Sequence, residues 1–363
     1  MRPPPARLRR LPEQYFTRLL ARVAEAAAAE GDVLVDLGRG NPETGPPAHV
    51  VEALSQTAAR GDVHGYAPFT GLTELKEAVA ERYASVYGVD LEPAREIAVV
   101  PGTKTALCEI ALVCAELGDS ILLPNPGYPD YFSAVALAGA RVVDSPAEAP
   151  ALIYLNYPSN PTAACAPPGA FDDSVALARR TGAAVLHDFA YGDLVFDGRV
   201  PQSFLAAEDA REVGVELFSM SKSYGMAGWR LGFVVGNEEI VRRIELYQDH
   251  VRAGIFMPIQ HAGIAALRGP QDAVEERRAA YERRRDRVFA ALPGLDAQSE
   301  GTFFFWFRLP KDVTVERLLL EHRVALAPGE GFGERGRGYA RLSLAVSDET
   351  LELGLERLRR ALS

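Results

Sequence analysis

Apolar residues in this chain fall into short runs that do not alternate with polar ones. Ile97-Ala-Val-Val100, Ser120-Ile-Leu-Leu123, Arg141-Val-Val143, Leu152-Ile-Tyr-Leu155 and Ala184-Val-Leu-His187 each end at a polar residue or a Gly/Pro turn, with Ala/Leu-rich helical stretches between them. Val215-Glu-Leu-Phe-Ser219 and Leu231-Gly-Phe-Val-Val-Gly236 read as two further strands. Runs of this kind are buried on both faces, which predicts an α/β domain with a mostly parallel sheet covered by helices. From about Met257 a long helical pattern rich in Ala, Arg and Glu leads to Gly301-Thr-Phe-Phe-Phe-Trp-Phe307 and Tyr339-Ala-Arg-Leu-Ser-Leu344, which read as strands of a smaller α+β lobe. The expected organisation is an N-terminal arm over 1–44 that joins the small lobe, a large domain over 45–285 and a small C-terminal domain over 286–363. Ligands of such sheets gather at the carboxyl ends of the strands, where the polar residues of this region fall.

Composition narrows the partners. The 363 residues are 48% hydrophobic and 24% charged, a soluble globular mix with room for two domains. A net charge of -10 argues against a nucleic-acid groove or an anionic membrane surface, both of which demand basic faces. No stretch approaches the roughly 20 apolar residues of a membrane span. Arg2, Arg7, Arg9 and Arg10 lie in a Pro-rich arm with no apolar segment after them, so a mobile tail is expected rather than a signal peptide. Glu275 to Arg287 is charge-dense, and its mixed signs fit a solvated helix face. Three cysteines without CxxC spacing indicate neither a disulfide framework nor a metal site, and a reducing, cytoplasmic setting is expected.

The candidate chemistry centres on Ser219-Met-Ser-Lys-Ser-Tyr-Gly-Met-Ala-Gly-Trp-Arg230. A lysine that forms a Schiff base needs a water-poor pocket to lower its pKa, and hydroxyls and a guanidinium beside it would hold a phosphate dianion. Lys222 on a loop between two buried strands meets both needs, although such Ser/Lys/Gly stretches are also common in plain turns. Pro101-Gly-Thr-Lys-Thr-Ala-Leu107 passes from strand to helix, so N–H groups at Gly102, Thr103 and Lys104 can face an anion or simply start the helix. Asp188 ends a buried strand, where a carboxylate needs a cationic or hydrogen-bonding partner such as a protonated ring nitrogen. It could equally be a helix cap. Two prolines fix Asn160 in Asn156-Tyr-Pro-Ser-Asn-Pro-Thr162, and Asn125-Pro-Gly-Tyr-Pro-Asp130 pins Tyr128, whose ring could stack on a flat heteroaromatic group. Each turn by itself reads as structural as readily as functional. His187 reads as a core histidine.

Together these turns each supply a group suited to one piece of a phosphorylated pyridine aldehyde. From about Leu11 to Ala361 the chain resembles the fold-type I, class I/II pyridoxal-phosphate aminotransferases, nearest in flavour to the aspartate and LL-diaminopimelate branches. The resemblance implies that Lys222 binds pyridoxal phosphate as a Schiff base and shuttles a proton, that Asp188 pairs with the ring nitrogen, that Tyr191 and Asn160 hold the ring's 3-oxygen and that Tyr128 stacks on its face. It implies phosphate contacts from Gly102, Thr103, Lys104, Ser219, Ser221 and Arg230. Tyr66, in His64-Gly-Tyr-Ala-Pro-Phe-Thr-Gly71, matches a tyrosine that reaches the neighbouring subunit's phosphate, which implies a homodimer with shared sites. Arg341 and the Gly40 N–H match the grip on the substrate α-carboxylate. Three departures stand out: Ala163 after Asn160-Pro-Thr162, Arg39 where an aliphatic residue is usual, and Arg252 where an acidic or small polar residue is usual. An arginine facing a closed pocket without an anion is costly, so Arg39 and Arg252 raise the expectation of an acidic substrate. The implied activity is ping-pong transfer of an amino group from an amino acid to a 2-oxo acid. The alternative is a same-fold C–S β-lyase or other lyase using the same cofactor.

Overall fold

The computed structural model describes residues 3–29 and 31–362, so Arg2 lies outside the described residues. Seven strands form the central sheet. In chain order they are β1 (Ile97–Val100), β2 (Ser120–Leu122), β3 (Arg141–Val143), β4 (Leu152–Asn156), β5 (Ala184–Asp188), β6 (Gly214–Ser219) and β7 (Gly232–Gly236). Across the sheet they run β1-β7-β6-β5-β4-β2-β3, and every pairing is parallel except those of β7 with β1 and β6. Successive residues of one strand enter different cores. Val185, Phe218 and Phe233 pack on one side, and Leu186, Leu217 and Val234 on the other. Apolar residues at consecutive positions are therefore required, and the unalternating runs of the sequence follow from burial on both faces.

The smaller lobe is a four-stranded antiparallel sheet built around Phe304–Arg308 and Tyr339–Ser343. The first of these strands starts later than the apolar run does, because Thr302 turns with φ 68° and its side chain accepts the Phe304 N–H at 2.9 Å. The long helical pattern is two helices, Met257–Arg268 and Asp272–Ala291, broken at Gly269-Pro270, since the residue before a proline is pushed out of the helical region. The second helix serves both cores, with Val274 in the larger and Tyr281, Val288 and Ala291 in the smaller.

The N-terminal segment joins the small lobe. Val35–Asp36 pairs parallel with Val324–Ala325, and Val23 and Ala26 of helix Tyr15–Ala28 pack on Leu319 and Ala325. The arm expected to be a tail instead forms a short exposed helix, Ala6–Arg9, against helix Asp130–Ala138. Among the described residues no helix is long and apolar enough to cross a membrane, and no cluster of His, Cys, Asp and Glu could hold a metal ion.

One buried ion pair anchors the loop that follows β5. Arg82 Nη2 meets Asp193 Oδ1 at 2.6 Å, the Tyr87 hydroxyl donates to the same oxygen at 2.7 Å, and both charged side chains are buried. Removing only the cation leaves an uncompensated carboxylate in the interior. Arg82→Met is expected to lower stability by about 3–5 kcal/mol in urea denaturation. A loss of less than about 1 kcal/mol would show that the pair behaves like a solvated one.

Candidate active site

The carboxyl ends of β4, β5 and β6 carry Asn156, Asp188 and Ser219, and the loops beyond them converge on a cavity of about 390 Å3. Arg39, Gly40, Thr103, Lys104, Tyr128, Asn160, Asp188, Tyr191, Lys222 and Arg341 all line it. Asp188 is buried at the end of its strand. The Tyr131 hydroxyl donates to its Oδ2 at 2.8 Å and the Ala190 N–H to its Oδ1 at 3.2 Å. Burial pushes this carboxyl above its ordinary range, and those two donors, with Lys222 nearby, pull it back. Asn156 donates to the Asp188 carbonyl at 2.9 Å and accepts the Asn160 N–H at 2.7 Å, so the strand end and the turn bearing Asn160 are tied together. On the opposite face of the sheet His187 is fully buried between Glu216 (2.7 Å) and the Tyr157 carbonyl (2.9 Å).

Two cations line the same cavity. Lys222 sits in the short helix Met220–Ser223 that β6 runs into, and its Nζ donates to the Gly40 carbonyl at 3.2 Å beside the rings of Phe303 and Tyr191. Desolvation lowers its pKa to about 8, and the positive charges of Arg341 and Arg230 act in the same direction. Arg341 is 1% exposed; Nη1 donates to Asn160 Oδ1 at 2.6 Å and Nη2 to the Gly38 carbonyl at 3.2 Å, while Nε has no partner. Its guanidinium lies 3.9 Å from the Phe304 ring centre, and burial lowers its pKa to about 10. Among the described residues no carboxylate pairs with it. A cation so enclosed calls for an anionic ligand, and its free Nε–H marks a donor still to be satisfied.

An anion cradle adjoins the cavity. Helix Thr103–Cys114 begins beside the Arg230 guanidinium, and Gly102 sits between them with φ 83°; a Cβ there would lie 2.1 Å from Arg230 Nη2. Only glycine allows that approach. Arg230 Nη1 donates to the Ala227 carbonyl at 2.7 Å, and Ser219 Oγ accepts the Ser221 N–H at 3.2 Å. Gly102, Ser219, Ser221 and Arg230 do not line the cavity itself but flank Thr103 and Lys222, which do. The Lys104 ammonium is already engaged by Asp130 Oδ2 at 3.0 Å, which leaves its backbone N–H as the group to offer an anion. Asp130 Oδ1 in turn accepts Gln14 Nε2 at 2.8 Å, from the turn that leads into helix Tyr15–Ala28.

Two expected contacts lie elsewhere in the single chain, and a third is partly engaged within the cavity. Arg252 does not line the cavity, because its guanidinium donates to the carbonyls of Ala253 (3.1 Å) and Val99 (2.9 Å). Arg39 does line it, and its Nε donates to Asp36 Oδ2, which draws the side chain toward that carboxylate. Tyr66 is 88% exposed, away from the cavity. The sequence reading also missed residues. Tyr131 and Asn156 hold Asp188 and the Asn160 turn, and Phe304 stacks on Arg341. Phe16, Leu19, Leu20 and Val23 form one wall; their i, i+3, i+4, i+7 spacing was the available signal.

The lowered pKa of Lys222 has a direct readout. Reductive methylation of the cofactor-free protein across pH 6–11 (roughly the span separating a perturbed from an ordinary lysine), followed by peptide mapping, is expected to give Lys222 a reactivity midpoint near 8. Arg341→Met removes a neighbouring positive charge that disfavours the ammonium, so the midpoint should rise. A midpoint in the ordinary lysine range would mean that water reaches the amine freely.

Known proteins share this chain's sequence pattern and its fold. The profile of the family described as aminotransferase class I and II matches residues 32–358. An L-glutamine--4-(methylsulfanyl)-2-oxobutanoate aminotransferase of Bacillus subtilis is 42% identical, over 95% of this chain and 93% of that one. An LL-diaminopimelate aminotransferase of Moorella thermoacetica is 36% identical over 98% and 97%. Among solved structures, substrate-bound BacF from Bacillus subtilis superposes with a TM-score of 0.92 at 35% identity, covering 99% of this chain and 98% of its own. With matches of this depth spanning nearly its whole length, the chain belongs to the class I and II aminotransferases and has their fold-type I architecture.

Proposed function

We propose that this aminotransferase works with pyridoxal phosphate held by Lys222, in a ping-pong exchange between an amino acid and a 2-oxo acid. The observation that carries the reading is the enclosure of a lysine amine of pKa about 8, a buried carboxylate and an unpaired arginine in one cavity. The residues fit the cofactor on its own terms. Asp188 offers a buried carboxylate to a ring nitrogen, the Thr103 and Lys104 N–H groups and Arg230 offer donors to a phosphate, Tyr191 and Asn160 to a ring oxygen, and Tyr128 a ring face, while the Gly102 N–H already donates to the Val100 carbonyl at 2.7 Å. Pyridoxal phosphate, when bound, supplies an aldehyde for the amino group and a ring that accepts the electron pair left at Cα.

The chain's own groups do the rest. Arg341 grips the α-carboxylate through Nη and the free Nε, and its Asn160 contact fixes the direction of the fork. Lys222, neutral in a large fraction at pH near 8, takes the proton from the substrate Cα. Tyr128, Tyr191 and Phe304 keep water from the reacting atoms. A single carboxylate anchor in a cavity of about 390 Å3 favours one substrate at a time, as a ping-pong order requires. The acidic substrate suggested by Arg39 and Arg252 loses part of its support, with Arg252 held on backbone carbonyls outside the cavity and Arg39 Nε donating to Asp36. The oxo acid in the name of the Bacillus subtilis relative has an uncharged side chain, in keeping with that loss.

A homodimer with shared sites is part of the same reading. Tyr66, Phe69, Val251 and Phe256 are exposed apolar side chains on two segments that pack together, the His64 and Phe256 rings lying 6.1 Å apart.

Two experiments test the proposal. In the holoenzyme, Asp188→Ala is expected to keep its cofactor, trapped on Lys222 by borohydride, while turnover falls at least ~100-fold. Near wild-type turnover, or reduced cofactor found on Lys104, would sink the assignment. Mixing Tyr66→Phe with Lys222→Ala chains is expected to restore activity above either parent through hybrid dimers. If hybrids show no rescue, the sites are not shared.

A further inference from the structure

One wall of the cavity is not used by the chemistry above. Phe16, Leu19, Leu20 and Val23 project from one face of helix Tyr15–Ala28 and all line the cavity. The helix is fixed in place at its start by the Gln14–Asp130 contact and by the Tyr15 hydroxyl, which donates to the Pro328 carbonyl at 2.9 Å. Val23 holds it further along, against Leu319 and Ala325. Yet Leu20 remains 44% exposed, and Phe16 and Leu19 are only half-buried, so this face presents apolar surface with nothing upon it. The Phe16 ring centre lies 5.6 Å from the Arg341 guanidinium carbon, which places the start of the apolar wall next to the carboxylate anchor. Asp36 and Arg39 also line the cavity, joined through Arg39 Nε.

We infer that helix Tyr15–Ala28 is the wall that reads the substrate side chain, and that the side chain it reads is uncharged, apolar and longer than a methyl group: a thioether, a branched aliphatic or an aromatic ring. The inference rests on Arg341 as the α-carboxylate anchor and adds the substrate class. A carboxylate or ammonium on the side chain would lie against four apolar residues and lose hydration there. An apolar side chain instead removes the open surface of Leu19, Leu20 and Phe16 from water, which is favourable in proportion to the area covered.

The test is the amino-donor half-reaction of the holoenzyme in single turnover, with methionine, leucine and phenylalanine set against alanine, glutamate and aspartate. Wild type is expected to favour methionine over glutamate by ~10-fold or more in kcat/KM, the discrimination that a few apolar contacts provide. Leu19→Ser should lower the methionine-to-alanine ratio about tenfold. Leu20→Arg should raise glutamate use relative to methionine by ~10-fold, a gain that mere damage to the helix would not produce. A wild-type preference for glutamate or aspartate that Arg39→Ala removes would overturn the inference. So would ratios unmoved by both leucine substitutions in folded, cofactor-loaded protein; either result leaves the aminotransferase reading standing. Failure of every amino acid to react, with cofactor bound, would remove both.

Discussion

Two cations and one carboxylate, all withdrawn from water at the same strand ends, set the terms for the rest of this molecule. Lys222, Arg341 and Asp188 share a cavity whose remaining walls are mostly aromatic and aliphatic. Desolvation acts on each in the direction of neutrality, lowering the two bases and raising the acid. The neighbours of each group limit that drift without supplying a full countercharge. Asp188 receives a hydroxyl and an N–H, and Arg341 receives an amide oxygen and a carbonyl. An interior built in this way leaves buried charge short of a counterpart, and a ligand that supplies one would be bound the more tightly for it.

The surrounding architecture serves to hold these groups apart and aligned. Asp188 stays at the end of β5 because the sheet is packed on both faces and because Asn156, Tyr131 and Ala190 each fix a different atom of it. Behind the sheet, Glu216 receives Tyr83, Ser203, the Phe204 N–H and His187, while the His187 ring also meets the carbonyl that opens the Asn160 turn. The face that carries no chemistry thus braces the one that does. Buried polar networks have this effect only when their members are satisfied.

Much of the fold was legible because its cause is local. Strands buried on both faces need unbroken apolar runs, and Gly269-Pro270 marks a helix break by backbone sterics alone. Lys222, Asp188 and Gly102 were legible because each sits where strand meets turn, a position visible in the sequence. What could not be read was direction. Arg39 and Arg252 stand out by residue type, yet only coordinates tell that the first turns to Asp36 and the second to the carbonyls of Ala253 and Val99. Tyr131 hides among apolar neighbours in a helix, and nothing local says that its hydroxyl meets a carboxylate from a strand 57 residues away. Helix Tyr15–Ala28 has the spacing of an ordinary core-facing helix, and a face that covers a ligand cavity has the same spacing as one that covers a core.

Asp130 joins two things that are otherwise separate. One of its oxygens takes Gln14, at the start of the apolar helix, and the other takes Lys104, in the loop whose N–H groups open the anion cradle. A shared counterion of this kind makes the two events thermodynamically reciprocal. If ordering Lys104 around an anion strengthens its grip on Asp130, the docked helix gains by that same free energy, and a docked helix returns it to the anion. Under that condition, a molecule pressing on Phe16 or Leu19 would also change the hold on an anion beside Lys104, without touching it.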